Sequence, residues 1–257
     1  MKQSLIALAL ISAFSAPVFA DEAPASPHTV TGNVTVASDY IFRGVSQSQH
    51  KPALQGGLDY SHSSGIYLGT WGSNVNWVRD TNFKTDSSLE MDFYGGYKGS
   101  FATDFSYDVG ALYYYYPGDV VAGTKNTNSA EVYGSLGWKF ISLKYSHAAS
   151  DNLFGWYNTT TSKSSRNSGY LDLSANYDLG AGWGINGHVG HQTIRNLGAA
   201  SYTDWKLGVS KDVGFGVIAL AYTDTNAEGC GKASQSYCFN GKDVAQARGT
   251  ISFSRSF

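Results

Sequence analysis

Beyond its opening residues the chain contains no apolar run approaching the roughly 20 residues that a membrane helix requires, which excludes a helical membrane protein. Charge is scarce as well. Asp, Glu, Lys and Arg make up 15% of the residues, against about 25% in an ordinary soluble domain. The balance is slightly acidic, at −2 for the whole sequence, so there is no basic excess to point to nucleic acid as a partner. Two cysteines are too few for a disulfide-built scaffold. Cys230 and Cys238 lie close together in a Gly- and Ser-rich stretch, with no histidine nearby to complete a tetrahedral metal set. In an oxidising compartment they read as a loop-closing disulfide rather than a metal site.

Aromatic and small residues are in excess. The chain has 18 Tyr and 30 Gly, and aromatics reach 14%. A sequence rich in tyrosine and poor in charge needs somewhere to expose its rings, and the surface of a membrane barrel is such a place.

The start of the chain indicates the compartment. Lys2 is followed by Leu5 to Phe14, apolar apart from Ser12, then by Val18-Phe19-Ala20 and the acidic Asp21. This is the layout of a cleavable secretory signal, with cleavage expected after Ala20. Residues 1–20 are therefore excluded from the fold, 21–28 are expected to be a short periplasmic segment, and 29–257 the folded domain. Without Lys2, seventeen basic residues face twenty acids, a net charge near −3.

From Thr29 onwards apolar and polar residues alternate. Val30, Val34 and Val36 alternate with Thr31, Asn33 and Thr35. Leu89 to Tyr97, Phe105 to Tyr115 and Leu171 to Leu179 behave alike. Successive side chains of a strand point to opposite faces, so each segment has one apolar and one polar face. Twelve strands are predicted, at 30–43, 53–61, 66–75, 89–98, 104–116, 130–138, 140–148, 169–179, 183–194, 202–211, 215–223 and 246–257. Short and long connections alternate between them, and both termini fall on the short-turn side. An up-and-down barrel in an outer membrane has that layout, and a Greek-key sandwich has no reason to keep it. The fold class is thus all-β: a closed, antiparallel, up-and-down transmembrane barrel of about 12 strands. Tyr40, Phe42, Trp71, Tyr113, Tyr115, Trp138, Trp183 and Trp205 fall near predicted strand ends, where amphipathic rings favour the headgroup level.

The run Thr250 to Phe257 alternates and finishes on an aromatic. It resembles the C-terminal sorting strand of outer-membrane barrels, with Phe257, Phe253 and Ile251 in the expected places and Arg255 departing from the pattern. That resemblance implies recognition by the barrel-assembly machinery. Ser38-Asp39-Tyr40-Ile41-Phe42-Arg43-Gly44-Val45-Ser46-Gln47 is more specific. With Gln55 to Tyr60, Gly65 to Val75 and Tyr113 to Gly118, it resembles the TorF family of porin-like proteins from proteobacteria. The resemblance is densest over 34–118, and implies a Gram-negative outer-membrane location and a porin role.

In a channel, selectivity comes from what lines the lumen. With the apolar faces turned to lipid, the inward set includes Asp39, Arg43, Asp59, Glu90, Asp92, Lys98, Asp108, Glu131, Lys144, Asp172, Asp178 and Arg248. Asp39, Arg43, Glu90, Asp92, Lys144 and Arg248 are the candidates for selectivity. Asp39 and Arg43 are expected on the first strand, about 13–14 Å apart, each meeting a group on a neighbouring strand such as Glu90 or Arg248. They either set a field at a constriction or form an ion-pair network that fills the barrel. Asn76–Ser88 and Pro117–Ser129 are the loops expected to fold inward.

The resulting expectation is passive diffusion of ions or small polar solutes, with outer-membrane lipid as the surrounding partner, no cofactor and no covalent chemistry. Two other classes compete with it. One is a non-conducting barrel acting through its external loops, in adhesion or structure, with Asn158 to Asn167 and the Cys230–Cys238 loop as the surfaces. The other is an outer-membrane hydrolase, for which His62-Ser63-Ser64, His147 with Ser150, and His188 with His191 are the suggestive strings. None of them carries an evident nucleophile, base and orienting group together.

Overall fold

The computed structural model describes residues 26–257. The signal segment and its cleavage after Ala20 lie outside the described residues. Twelve long strands run up and down: β1 His28–Ala37, β2 Ala53–His62, β3 Ile66–Asn74, β4 Leu89–Phe101, β5 Phe105–Tyr115 and β6 Ser129–Trp138. They continue as β7 Ile141–Ala148, β8 Gly169–Gly180, β9 Trp183–Thr193, β10 Tyr202–Asp212, β11 Val217–Thr225 and β12 Arg248–Ser256. Each pairs antiparallel with its sequence neighbours, and β1 closes the barrel by pairing with β2 on one side and β12 on the other. Val36 stands opposite both Leu54 and Phe253. Closure leaves no open sheet edge, which lipid would not tolerate.

The period-two pattern sets which face meets what. Leu58, Leu68, Phe93, Val109, Leu143 and Leu220 point outward and are exposed, although they are large and apolar. Water would penalise such a surface at about 25 cal/mol per Å², whereas a hydrocarbon layer does not. Aromatic residues form two rims on this outer face. Tyr113, Tyr115, Tyr145, Trp205 and Tyr222 ring the long-loop end, and Tyr97, Phe101, Trp138, Tyr177, Trp183 and Phe215 the short-turn end. Trp71 belongs to neither. Its parity on β3 turns it inward, where it is buried against Tyr40 with ring centroids 5.4 Å apart.

The long connections gather at one end and the short turns at the other. The chain terminus is pinned at the short-turn end: the Phe257 N–H donates to the Gly32 carbonyl (3.0 Å), and the Gly32 N–H to the Phe257 carbonyl (2.8 Å). A Cβ on Gly32 would lie 2.6 Å from the Phe257 ring, so the glycine makes room for it.

Cys230 and Cys238 are joined in a disulfide within the longest loop, 226–247. The bond closes a small ring, and loop-closure entropy assigns it about 2.5 kcal/mol. Because that ring touches the barrel only at its rim, through Tyr237 on Tyr202, and carries no rung of the strand ladder, Cys230→Ser with Cys238→Ser should leave the thermal resistance of the barrel unchanged. It should make the loop tens of times more sensitive to trypsin at Lys232 and Lys242. Limited digestion followed by mass spectrometry checks this.

Candidate functional site in the barrel mouth

The first strand stops six residues earlier than the alternation predicts. At Ser38 the N–H donates to the Ile251 carbonyl (2.9 Å), while the Ser38 hydroxyl accepts from the Ile251 N–H (3.0 Å). This makes the last rung with β12, after which the chain turns into the barrel. Asp39 and Arg43 are therefore not on the first strand. They belong to an inserted hairpin in which Ile41–Phe42 pairs with Val45–Ser46.

The hairpin turns through Arg43 and Gly44, with φ of 48° and 77°. Two consecutive residues in the left-handed region are what a tight two-residue hairpin loop demands. Gly44 is required for a second reason. A Cβ there would lie 2.5 Å from Cβ of Asp204 on β10, three strands round the barrel from β1. Arg43 accepts a conformation that costs a non-glycine residue about 1–2 kcal/mol, and its side chain is held in return. One guanidinium nitrogen donates to Glu131 Oε1 (2.9 Å) and Gln192 Oε1 (2.8 Å), the other to Glu131 Oε2 (2.7 Å). The Phe42 and Tyr170 rings lie 4.7 and 4.4 Å from the guanidinium carbon. Burial works against the Arg43 charge, but the Glu131 carboxylate more than offsets it, so the net direction is upward and Arg43 stays a cation.

The base of the hairpin is pinned separately. Asp39 accepts from the hydroxyls of Ser46 (2.6 Å) and Ser48 (2.8 Å), lies 3.1 Å from Nδ1 of His50, and has Arg248 Nε at 3.5 Å. Tyr40 donates its hydroxyl to Glu90 Oε1 (2.7 Å). Burial, and then the charges of Glu90 and Asp92, raise the Tyr40 phenol, so it keeps the proton it donates. Neighbouring loops close over the hairpin. The Asn76 N–H donates to the Gln47 carbonyl and the Ser46 N–H to the Val244 carbonyl, each at 2.9 Å.

The segment that enters the barrel is thus 38–52, not Pro117–Ser129. Asn76–Ser88 joins it only at the rim, where Trp77 and Val78 of a one-turn helix, α1 (Trp77–Asp80), are buried. Pro117–Ser129 packs on that segment from outside, through the Val121 N–H on the Phe83 carbonyl (3.0 Å). Tyr40 and Phe42 are likewise hairpin residues rather than interfacial ones.

Among the sequence candidates, Glu90 and Asp92 are inward and buried at the long-loop end of β4, and Asp92 Oδ1 has no hydrogen-bond partner. Arg248 meets Asp39. The partner of Arg43 is Glu131 rather than Glu90. Lys144 lies deeper, its ammonium 3.6 Å from the centre of the Tyr133 ring. Around it the Tyr67 hydroxyl donates to Asp108 (2.6 Å), Tyr94 donates to Asp59 (2.6 Å), and His188 Nδ1 is 3.0 Å from Asp172. Gln192, Tyr170 and Asp204 were absent from the inward set, and only their strand parity could have flagged them. Of the hydrolase strings, His62 bonds Ser64 (2.8 Å) in an exposed short turn, and His188 and His191 face opposite sides. Among the described residues no three His, Cys, Asp or Glu side chains are placed to hold a metal.

A closed barrel of twelve strands, apolar outside and polar within, has the porin fold. It is similar to the solved "KdgM porin in complex with disordered oligogalacturonate", at a TM-score of 0.54 and 10% identity over 89% of this chain and 99% of that one. It is equally similar to the solved NanC porin, at 0.53 and 12% over the same shares. The chain belongs to the family described as "Bacterial protein of unknown function (Gcw_chp)", whose model matches residues 21–257. No curated protein sequence matches it.

Proposed function

We propose that this protein is an outer-membrane, porin-like channel for ions and small polar solutes, with its outer mouth narrowed by the 38–52 hairpin. One observation carries the reading. Below the hairpin the inward face is polar and only half-buried, at Ser142, Ser174, Asn176, Ser252 and Ser254, while the outward face is apolar. A structural barrel has no need of a wet interior. The TorF-like sequence run supports the same reading, since its most specific residues build the hairpin. Passage is passive and uses no cofactor. The signal-like start and the terminal Phe257 strand fit export to the outer membrane through the barrel-assembly machinery.

Lumen charge sets the solute class. Inward Asp59, Asp108, Glu131, Asp172, Asp178, Asp204 and Asp212, with Asp39 of the hairpin, outnumber Lys98, Lys144, Lys206 and Arg248 with Arg43 of the hairpin. A polyanion such as the oligogalacturonate named with KdgM would meet repulsion there, and small cations attraction. Planar-bilayer recordings of the refolded protein across a salt gradient test both points. Discrete steps with a cation-selective reversal potential are expected, and Asp59→Asn, at a half-buried inward carboxylate, should move that potential towards zero. An anion-selective potential would overturn the charge argument.

The hairpin itself favours a second reading, a closed barrel that acts through its loops. Silence from folded protein that persists after the hairpin is removed would establish that reading.

A further inference from the structure

The hairpin and the loops that cover it line a partly open cavity of about 80 Å³ on the outer side of the barrel mouth. Phe42, Trp77, Phe83, Phe154, Trp156 and Phe239 supply most of its wall, and Arg43, Gln47 and Gln192 its polar part. External loops of a barrel are ordinarily polar and solvated. Here several of them, together with the hairpin, contribute a ring to one space.

The chemistry of the lining narrows what the space can hold. It contains no carboxylate, so an organic cation has no counter-charge there. Its only cation is Arg43, whose terminal nitrogens are taken by Glu131 and Gln192, so an anion would have to displace a buried carboxylate. Sugars stack on rings but need many polar partners. Both amide nitrogens are already engaged: Gln47 Nε2 donates to the Val45 carbonyl (2.9 Å), and Gln192 Nε2 donates to the Gly169 carbonyl (3.0 Å). What remains is mostly apolar surface with ring faces and edges on offer, joined by the Tyr202 hydroxyl and by Trp77, whose indole N–H is buried without a partner and suits one neutral acceptor. Phe42 meets Phe154 edge-on at 86°, and Trp77 meets Phe83 at 73°.

We propose that this cavity is a binding site for a small neutral molecule carrying a single aromatic ring. It is smaller than the ~150 Å³ apolar cavity that takes up benzene, so entry requires one wall residue to shift. Trp156 and Phe239, both half-buried, are the residues placed to do so. The site lies between the hairpin and the loops that cover it, at the outer end of the lumen, and stands whether or not the barrel conducts.

Fluorine NMR of 4-fluorobenzyl alcohol with the full protein in lipid nanodiscs tests it, with empty nanodiscs as the baseline. Saturable binding above that baseline is expected, with 4-fluorobenzoate and glucose at least tenfold weaker. Ile194→Phe, which grows into the cavity from its buried wall, should weaken the alcohol at least tenfold. Phe239→Ala should let 1-naphthylmethanol bind at least tenfold more tightly than it does to the unaltered protein, a gain that a misfolded variant could not give. Absence of saturable binding, equal binding of the benzoate, or indifference to both substitutions overturns the proposal.

Discussion

Replacing Glu131 with alanine should raise single-channel conductance severalfold, because it removes the group that holds the hairpin tip in the barrel. Arg43 and Glu131 are both almost fully buried and share two parallel hydrogen bonds. Deleting one member of such a pair leaves the other charge buried without compensation, at a cost of about 3–5 kcal/mol. At 1.36 kcal/mol per decade, that is roughly two to four decades in the equilibrium between docked and undocked hairpin. The barrel does not depend on this contact, since every strand keeps its ladder when residues 39–52 leave. Arg43→Ala strands Glu131 instead and should open the mouth to a similar extent. The double substitution Arg43→Ala with Glu131→Ala should be less disruptive than the two single effects added together, because it leaves no orphan charge. Planar-bilayer recordings check all three. Unchanged conductance in both single variants would show that the hairpin does not limit passage.

The sequence made the barrel legible and the hairpin illegible for the same physical reason. A strand between lipid and water must alternate, and it does so in nearly every span, so the expected strands agree with the observed ones to within a few residues except at the first. There the pattern misled. Asp39-Tyr40-Ile41-Phe42-Arg43 is extended and partly alternating, so it reads as a continuation of β1, yet its two short strands pair with each other. Nothing in periodicity says which partner an extended segment chooses. The turn is also disguised, since Arg-Gly carries its left-handed conformation at an arginine rather than at the usual asparagine or aspartate. Trp71 failed differently. Tryptophan near a strand end suggests a membrane interface, but parity on β3 sends it inward to meet Tyr40, a residue whose own position depended on the hairpin. Asp39 and Arg43 were thus legible as inward charges. Arg248 was legible as a partner and meets Asp39, but the partners of Arg43 were not, because Glu131 and Gln192 lie 88 and 149 residues from it.

Gly44→Val should approach the conductance of the Glu131 variant without removing a charge. Two costs fall on the same residue. A β-branched side chain at φ of 77° is strained whatever surrounds it, and its Cβ would press on Asp204 at 2.5 Å. Left-handed strain of about 1–2 kcal/mol and overpacking of about 1–3 kcal/mol together approach the loss of the ion pair. Asp204 offers little relief. It is fully buried on β10, accepts from the Tyr170 hydroxyl (3.0 Å), and could shift only by deforming the barrel wall. The cheaper response is for the hairpin to withdraw. Gly44→Ala keeps the contact but lacks the branching, so it should fall between the unaltered protein and the valine variant. Because both lesions release one unit, Gly44→Val combined with Glu131→Ala should conduct no more than either alone. A combined conductance well above both would mean that Glu131 also restricts the pore after the hairpin has left, and the pair would then act on the permeating solute as well as on the plug.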